Sequence, residues 1–150
     1  MVSTMVVVTV ADTVGAGDTF NAGFLASLHE DGFRGMDGEH IDVEVTTADH
    51  AVDETERVDL VKIDVEGFEP EVLQGMSRIL SRDRPIIVLE CNPDGPSTAL
   101  EEALRPHGYG FYHLQEDQMV QTSGIAPDQQ GHCRNFLCVH PDREDWLREL

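Results

Sequence analysis

The sequence predicts an α/β domain whose sheet is mostly parallel, with an antiparallel edge at its C-terminal end. Three observations predict it. Short runs of β-branched and apolar residues, MVVVTV at 5–10, VDLVKIDV at 58–65 and IIVLE at 86–90, are each followed by a turn and then by helical spacing. Strands alternating with helices lead to a parallel sheet with helices packed on its faces. The last two strand-like runs, 109–114 and 135–140, have no helical pattern between them, so they are expected to close the sheet as an antiparallel pair.

The elements follow in order. Met5–Val10 reads as a buried strand running into ADTVGAGD at 11–18, and a helix is expected from Thr19 to about Leu28 with Phe20, Gly23 and Phe24 on one face. HEDGFRGMDGEH at 29–40 carries Gly32, Gly35 and Gly38 among charged residues and marks a junction. Val43–Thr47 alternates like a short strand, and 48–54 suits a helical turn. After the strand 58–65, Pro70 suits the first turn of a helix in which Val72, Leu73, Met76, Ile79 and Leu80 recur at helical spacing. Arg84–Pro85 ends that segment before the strand 86–90. A loop at 92–97 leads to a helix through His107, with Ser97 or Thr98 as its expected cap and Gly108 as its stop. Gln115–Arg134 reads as a polar loop. Trp146, Leu147 and Leu150 are expected to dock a terminal helix on the body.

A chain of 150 residues with 40% hydrophobic content is about one domain and can bury a core. Twenty-nine acidic residues against ten basic give a net charge of −19, and Lys62 is the lone lysine. Such a surface repels nucleic acid and anionic membranes, so neither is an expected partner. No apolar run approaches the ~20 residues that span a bilayer, and no basic stretch precedes the first strand, so a cytoplasmic protein is expected. Dense carboxylates along the whole chain also suit a halophilic setting. Helicity followed by circular dichroism across salt concentration tests that; full folding without added salt counts against it. Cys91, Cys133 and Cys138 match no zinc spacing, so buried reduced thiols are expected and no metal site. His29, His40, His50, His107 and His113 fall in polar contexts and read as surface residues.

Two constellations carry possible chemistry. In Asp12–Phe24 a strand delivers Gly15, Ala16 and Gly17 to a helix start, where small residues let backbone N–H groups approach an oxyanion. Asp18 stands beside that cradle, placed either to accept a proton or merely to cap the helix. In Val58–Leu73 a buried strand ends in Asp64-Val65-Glu66-Gly67, and Gly67 allows a sharp turn into the next helix. Ligands of open α/β sheets sit at the carboxyl ends of strands, so Asp64 and Glu66 are catalytic candidates. Gly67, Glu69 and Glu90 are candidates for the surrounding pocket. The plainer reading is that these carboxylates serve the positive end of the helix.

The longer strings resemble known families. The segment at about 5–28 resembles the second signature of PfkB (ribokinase-like) carbohydrate kinases. That resemblance implies Asp18 as catalytic base, Gly15, Ala16 and Gly17 as an anion hole, and ATP with magnesium as cosubstrate. The pattern VDLVKIDVEG-x-E-x-x-VL-x-G followed by RPIIVLE resembles the FkbM family of S-adenosylmethionine-dependent methyltransferases, from about Ile41 to the C-terminus and most specifically through 58–91. It implies a partial Rossmann-like methyltransferase sheet and methyl transfer to an oxygen of a sugar or other small-molecule acceptor. Asp64 and Glu66 match its D-x-E-G position, and Glu90 its strand-end acid. The family carries its cofactor loop after its first strand, and residues 1–40 read as the kinase-like signature instead. The expected organisation is therefore a kinase-like strand–loop–helix at 1–35 joined to the second half of a methyltransferase at 41–150. Three readings stay open: a methyltransferase, a carbohydrate kinase using Asp18, and a non-catalytic fusion product that folds with a partner chain or as a dimer completing the sheet.

Overall fold

Strand β1 (Thr4–Thr9) lies parallel to β4 (Val58–Asp64), from Thr4 against Val58 to Thr9 against Asp64, with one register shift after Thr4. In the computed structural model the residues described are 4–9, 33–34, 40–41, 46–65, 67–115, 118–127 and 134–148. Between β1 and β4 come a small antiparallel pair, β2 (Phe33–Arg34) with β3 (His40–Ile41), and helix α1 (Ala48–Ala51). After β4 follow α2 (Glu69–Gln74), α3 (Ser77–Arg82), β5 (Ile86–Glu90) and α4 (Ser97–Leu104), which runs into a 3-10 turn at Arg105–His107. The chain closes with β6 (Gly110–Gln115), β7 (Gln118–Thr122), β8 (Asn135–Val139) and a 3-10 helix at Pro141–Arg148.

The main sheet has the order β1-β4-β5-β8-β6-β7. The pairs β1–β4 and β4–β5 are parallel, whereas β5–β8, β8–β6 and β6–β7 are antiparallel. The α/β class holds, but the expected mostly parallel sheet does not, because antiparallel pairings prevail among the described strands. One reason is β7, which falls inside the stretch read as a polar loop. An edge strand has one neighbour and little burial, so QMVQT needs no hydrophobic alternation to pair with β6.

Alternation along the strands separates two cores. Val61, Ile63, Ile87, Leu89, Phe111, Phe136 and Cys138 face the helices and join Val72, Leu73, Ile79, Leu80, Leu100 and Leu104 in one buried cluster. Ile86, Leu137 and Val139 face the other way, with Leu60, Val88, Tyr112, Leu114, Met119 and Leu147 packed against them. The terminal segment docks through Leu147, while Trp146 stays exposed, contrary to expectation. His113 stacks on buried Phe136 with ring centroids 4.8 Å apart, so it is not a free surface residue.

The amphipathic pattern at 70–80 is two helices, not one. The chain turns at Gly75, whose N–H reaches the Glu71 carbonyl, and at Met76 with φ −128°. The start of α3 has no cap of its own. Asp49 in α1 caps it from outside, accepting from the backbone N–H of Arg78 at 2.7 Å and of Ile79 at 3.0 Å. Asp49→Ala leaves both donors without that carboxylate and is expected to lower stability by about 1–2 kcal/mol, measured by urea denaturation. At α4 the residue before the first turn is Pro96, so neither Ser97 nor Thr98 caps it. Gly108 ends the following turn in the left-handed region at φ +82°, where a side chain would be strained. The expected strand at 43–47 falls mostly outside the described residues.

Candidate active site

The parallel strands β1, β4 and β5 end at the same edge of the sheet, at Thr9, Asp64 and Glu90. In an open α/β sheet this edge is where a ligand crevice forms. Side chains alternate along a strand, so Lys62 and Asp64 share one face of β4. Lys62 pairs with Val88 in the register, which puts Glu90 on the same face of β5 as Asp64, one strand away.

Asp64 is held by its own strand. The Lys62 ammonium donates to Asp64 Oδ2 at 2.7 Å, and both side chains keep about two-fifths of their surface in solvent. The pair is therefore screened and adds little to stability, but it fixes the carboxylate while leaving it open to a ligand. The expected partner of Asp64 was Glu66, which lies outside the described residues, so the partner seen is Lys62. Two residues of one strand face, two apart in sequence, could have shown this.

The turn after β4 depends on Gly67 and Glu69. Gly67 takes φ +102°, and its N–H donates to Glu69 Oε1 at 3.0 Å. Glu69 is 3% exposed, so its carboxylate is a buried brace that holds the turn, not a group facing a ligand. A Cβ built on Gly67 meets nothing within 4 Å, so the obstacle to a side chain there is backbone strain and not space. Gly67→Ala is expected to cost about 1–2 kcal/mol in thermal or chemical denaturation, with the fold retained by circular dichroism. Next to this turn Phe68 is 41% exposed at the rim.

On the β5 side, Glu90 sits opposite Asn135 of β8. Arg134 bridges the strand ends: its Nη1 lies 3.6 Å from Glu90 Oε1 and donates to Asn92 Oδ1 at 3.0 Å. The Cys91 N–H donates to the Arg134 carbonyl at 2.8 Å, extending the β5–β8 ladder by one step. Sequence reasoning missed Arg134, because it lies in a polar stretch more than forty residues from its partners. Cys91 is buried and its thiol is pushed up to about 11, by burial and secondarily by the Glu69 charge. It is protonated at neutral pH and is no nucleophile. Burial likewise pushes the Cys138 thiol up. Cys133 lies outside the described residues, and no three His, Cys, Asp or Glu side chains among the described residues gather as a metal site.

The glycine constellation Gly15, Ala16, Gly17 with Asp18 lies outside the described residues. The strand before it does not: β1 pairs with β4 in the one sheet, beside Asp64. The sequence model of the Methyltransferase FkbM domain family matches residues 5–132. The chain belongs to the FkbM methyltransferase domain family. No curated protein and no solved structure matches it. The FkbM match begins in β1 and runs through the stretch read as kinase-like, and nothing supports a kinase segment there. That expectation rested on a short glycine string, and such strings recur wherever a strand turns into a helix near an anion. In this FkbM domain Asp64 and Glu90 end neighbouring parallel strands on one face of the sheet, and Arg134 lies beside Glu90. No helix among the described residues is long and apolar enough to cross a membrane.

Proposed function

We propose that this chain transfers a methyl group from S-adenosylmethionine to an oxygen of a small hydroxylated acceptor, with Asp64 engaging that oxygen. The observation that carries the reading is the position of Asp64: at the carboxyl end of β4, partly open to solvent, held by Lys62, and level with the end of β1. The family match supports the reaction class, and it takes in β1 and the glycine stretch that follows it in the sequence.

In this reading the glycine stretch that follows β1 in the sequence, with Gly15, Ala16 and Gly17, supplies backbone N–H groups to the donor's carboxylate. The described residues fit such a donor chemically. Carboxylates at strand ends suit ribose hydroxyls and a nearby cationic sulfonium, and the rim carries Asp64 and Glu90 on one face. When bound, the donor supplies a methyl group activated by its positive sulfur. Asp64 orients the acceptor hydroxyl and takes its proton as the new carbon–oxygen bond forms, while Lys62 keeps the carboxylate in place. Glu69 holds the Gly67 turn that leads into α2. Glu90, steadied by Arg134, lines the far wall.

Thermal unfolding with and without donor tests the reading. A ligand present at 100 times its dissociation constant raises stability by about 2.7 kcal/mol, which shows as a rise in Tm. S-adenosylmethionine and its demethylated product are both expected to raise Tm. No shift with either at millimolar concentration would remove the proposal.

A further inference from the structure

Strand β7 is the last strand of the sheet, bonded to β6 on one side and to no described strand on the other. Natural edge strands are usually protected by charges, prolines or bulges. Gln118–Thr122 has none of these: the sequence is QMVQT, without a charge or proline, and it pairs with β6 residue for residue from Gln115–Gln118 to Phe111–Thr122. Gln118, Val120 and Gln121 are exposed, and among the described residues Val120 is one of the few large apolar side chains left in solvent. In a chain carrying a net charge of −19, an uncharged edge strand with no described strand on its outer side is a place where two copies can approach without opposing carboxylates within the strand.

We propose that β7 is a self-association edge, pairing antiparallel with β7 of a second copy. The strand is complementary to itself when centred on Val120. Gln118 then stands opposite Thr122, Met119 opposite Gln121, and Val120 opposite its own counterpart. That is an isologous contact, which closes as a two-fold dimer and does not propagate. Backbone hydrogen bonds supply the affinity and the Val120 pair fixes the register, as in strand addition generally. Met119 faces the second core with Leu114 and is already half-buried, so it stays in place when the copies meet. An edge of five residues buries little area, which makes the dimer weak and concentration-dependent. The surrounding negative charge opposes it, so added salt strengthens it.

Sedimentation equilibrium of the whole chain, over a hundredfold range of concentration at 0.1 M and 1 M KCl, tests this. The wild type is expected to show a monomer–dimer equilibrium that shifts toward dimer at the higher salt. Val120→Asp sets like charges opposite each other and is expected to weaken association at least tenfold. Val120→Lys lowers the net negative charge yet still opposes like charges, so it is expected to weaken association too; it decides the matter if the Asp variant does not fold by circular dichroism. Val120→Thr keeps the strand uncharged and is expected to stay within a few-fold of wild type. A wild type that is monomeric throughout overturns the proposal, and so do charged variants that associate as strongly as wild type, which would place any dimer elsewhere.

Discussion

Replacing Asp64 with Asn is expected to lower methyl transfer by about a hundredfold or more while leaving donor binding intact. Asparagine keeps the shape of the side chain and an oxygen that can accept from Lys62 Nζ, which lies 2.7 Å from the wild-type carboxylate. What it loses is the negative charge and the ability to take a proton. A positioned proton acceptor contributes on the order of 10²–10⁴ to rate, so the loss falls in kcat and not in the affinity for S-adenosylmethionine. The pair is exposed enough for solvent to screen it, so the stability of the variant stays within about 0.5 kcal/mol of wild type. The check is incorporation of labelled methyl into a panel of small hydroxylated acceptors, alongside donor titration. Unchanged turnover would take Asp64 out of the reaction, and lost donor binding would move it to the donor side.

Asp83→Ala is expected to cost about 2–3 kcal/mol of stability without touching the rim. Asp83 is 7% exposed at the end of α3, and it accepts from the buried N–H of Val58 at 3.1 Å, where β4 begins. Arg82 closes on it with Nε and Nη2 both at 2.6 Å. Removing the carboxylate leaves the Val58 donor buried without an acceptor, which costs about 1–3 kcal/mol, and leaves Arg82 only the Glu54 and Glu56 carbonyls. Burial works against the charge of Asp83, but the Arg82 and Val58 bonds outweigh it and hold the carboxyl below the usual range. The sign follows. A depressed folded pKa gives stability that is present above the unfolded value, about 3.9, and is lost as pH falls through the folded value. The gap between wild type and Asp83→Ala is therefore expected to be full near pH 7 and to shrink below about pH 4. Urea denaturation across that range measures it. Asp83→Asn keeps an acceptor for Val58 and should lose less; a gap that does not change with pH would contradict the assignment.

The parts of the fold legible in the sequence are those where burial leaves a pattern. VDLVKIDV and IIVLE are strands because both ladder bonds and core contacts act on the same residues, and Gly67 turns the chain at φ +102° where only glycine sits without strain. The break between α2 and α3 was not legible, because Val72, Leu73, Met76 and Ile79 keep a buried face through the turn at Gly75. Strand β7 was not legible either, since an edge strand carries half the usual burial signal. At the candidate site, Asp64 and Glu90 were singled out from their expected place at strand ends, and that is where β4 and β5 end. Glu69 was found as a pocket candidate but is a buried brace, and Arg134 reaches Asn92 only through the antiparallel pairing of β8 with β5. Sequence spacing holds no trace of that contact.

A methyl-donor and acceptor site at the edge formed by β1, β4 and β5, as proposed, requires the chain to bind S-adenosylmethionine. Isothermal titration of the whole chain with S-adenosylmethionine tests it most directly, with ATP and Mg²⁺ titrated separately as the comparison. Saturable one-site binding of S-adenosylmethionine and no heat from ATP are expected. Silence toward S-adenosylmethionine in a folded sample, or binding of ATP in its place, would contradict it.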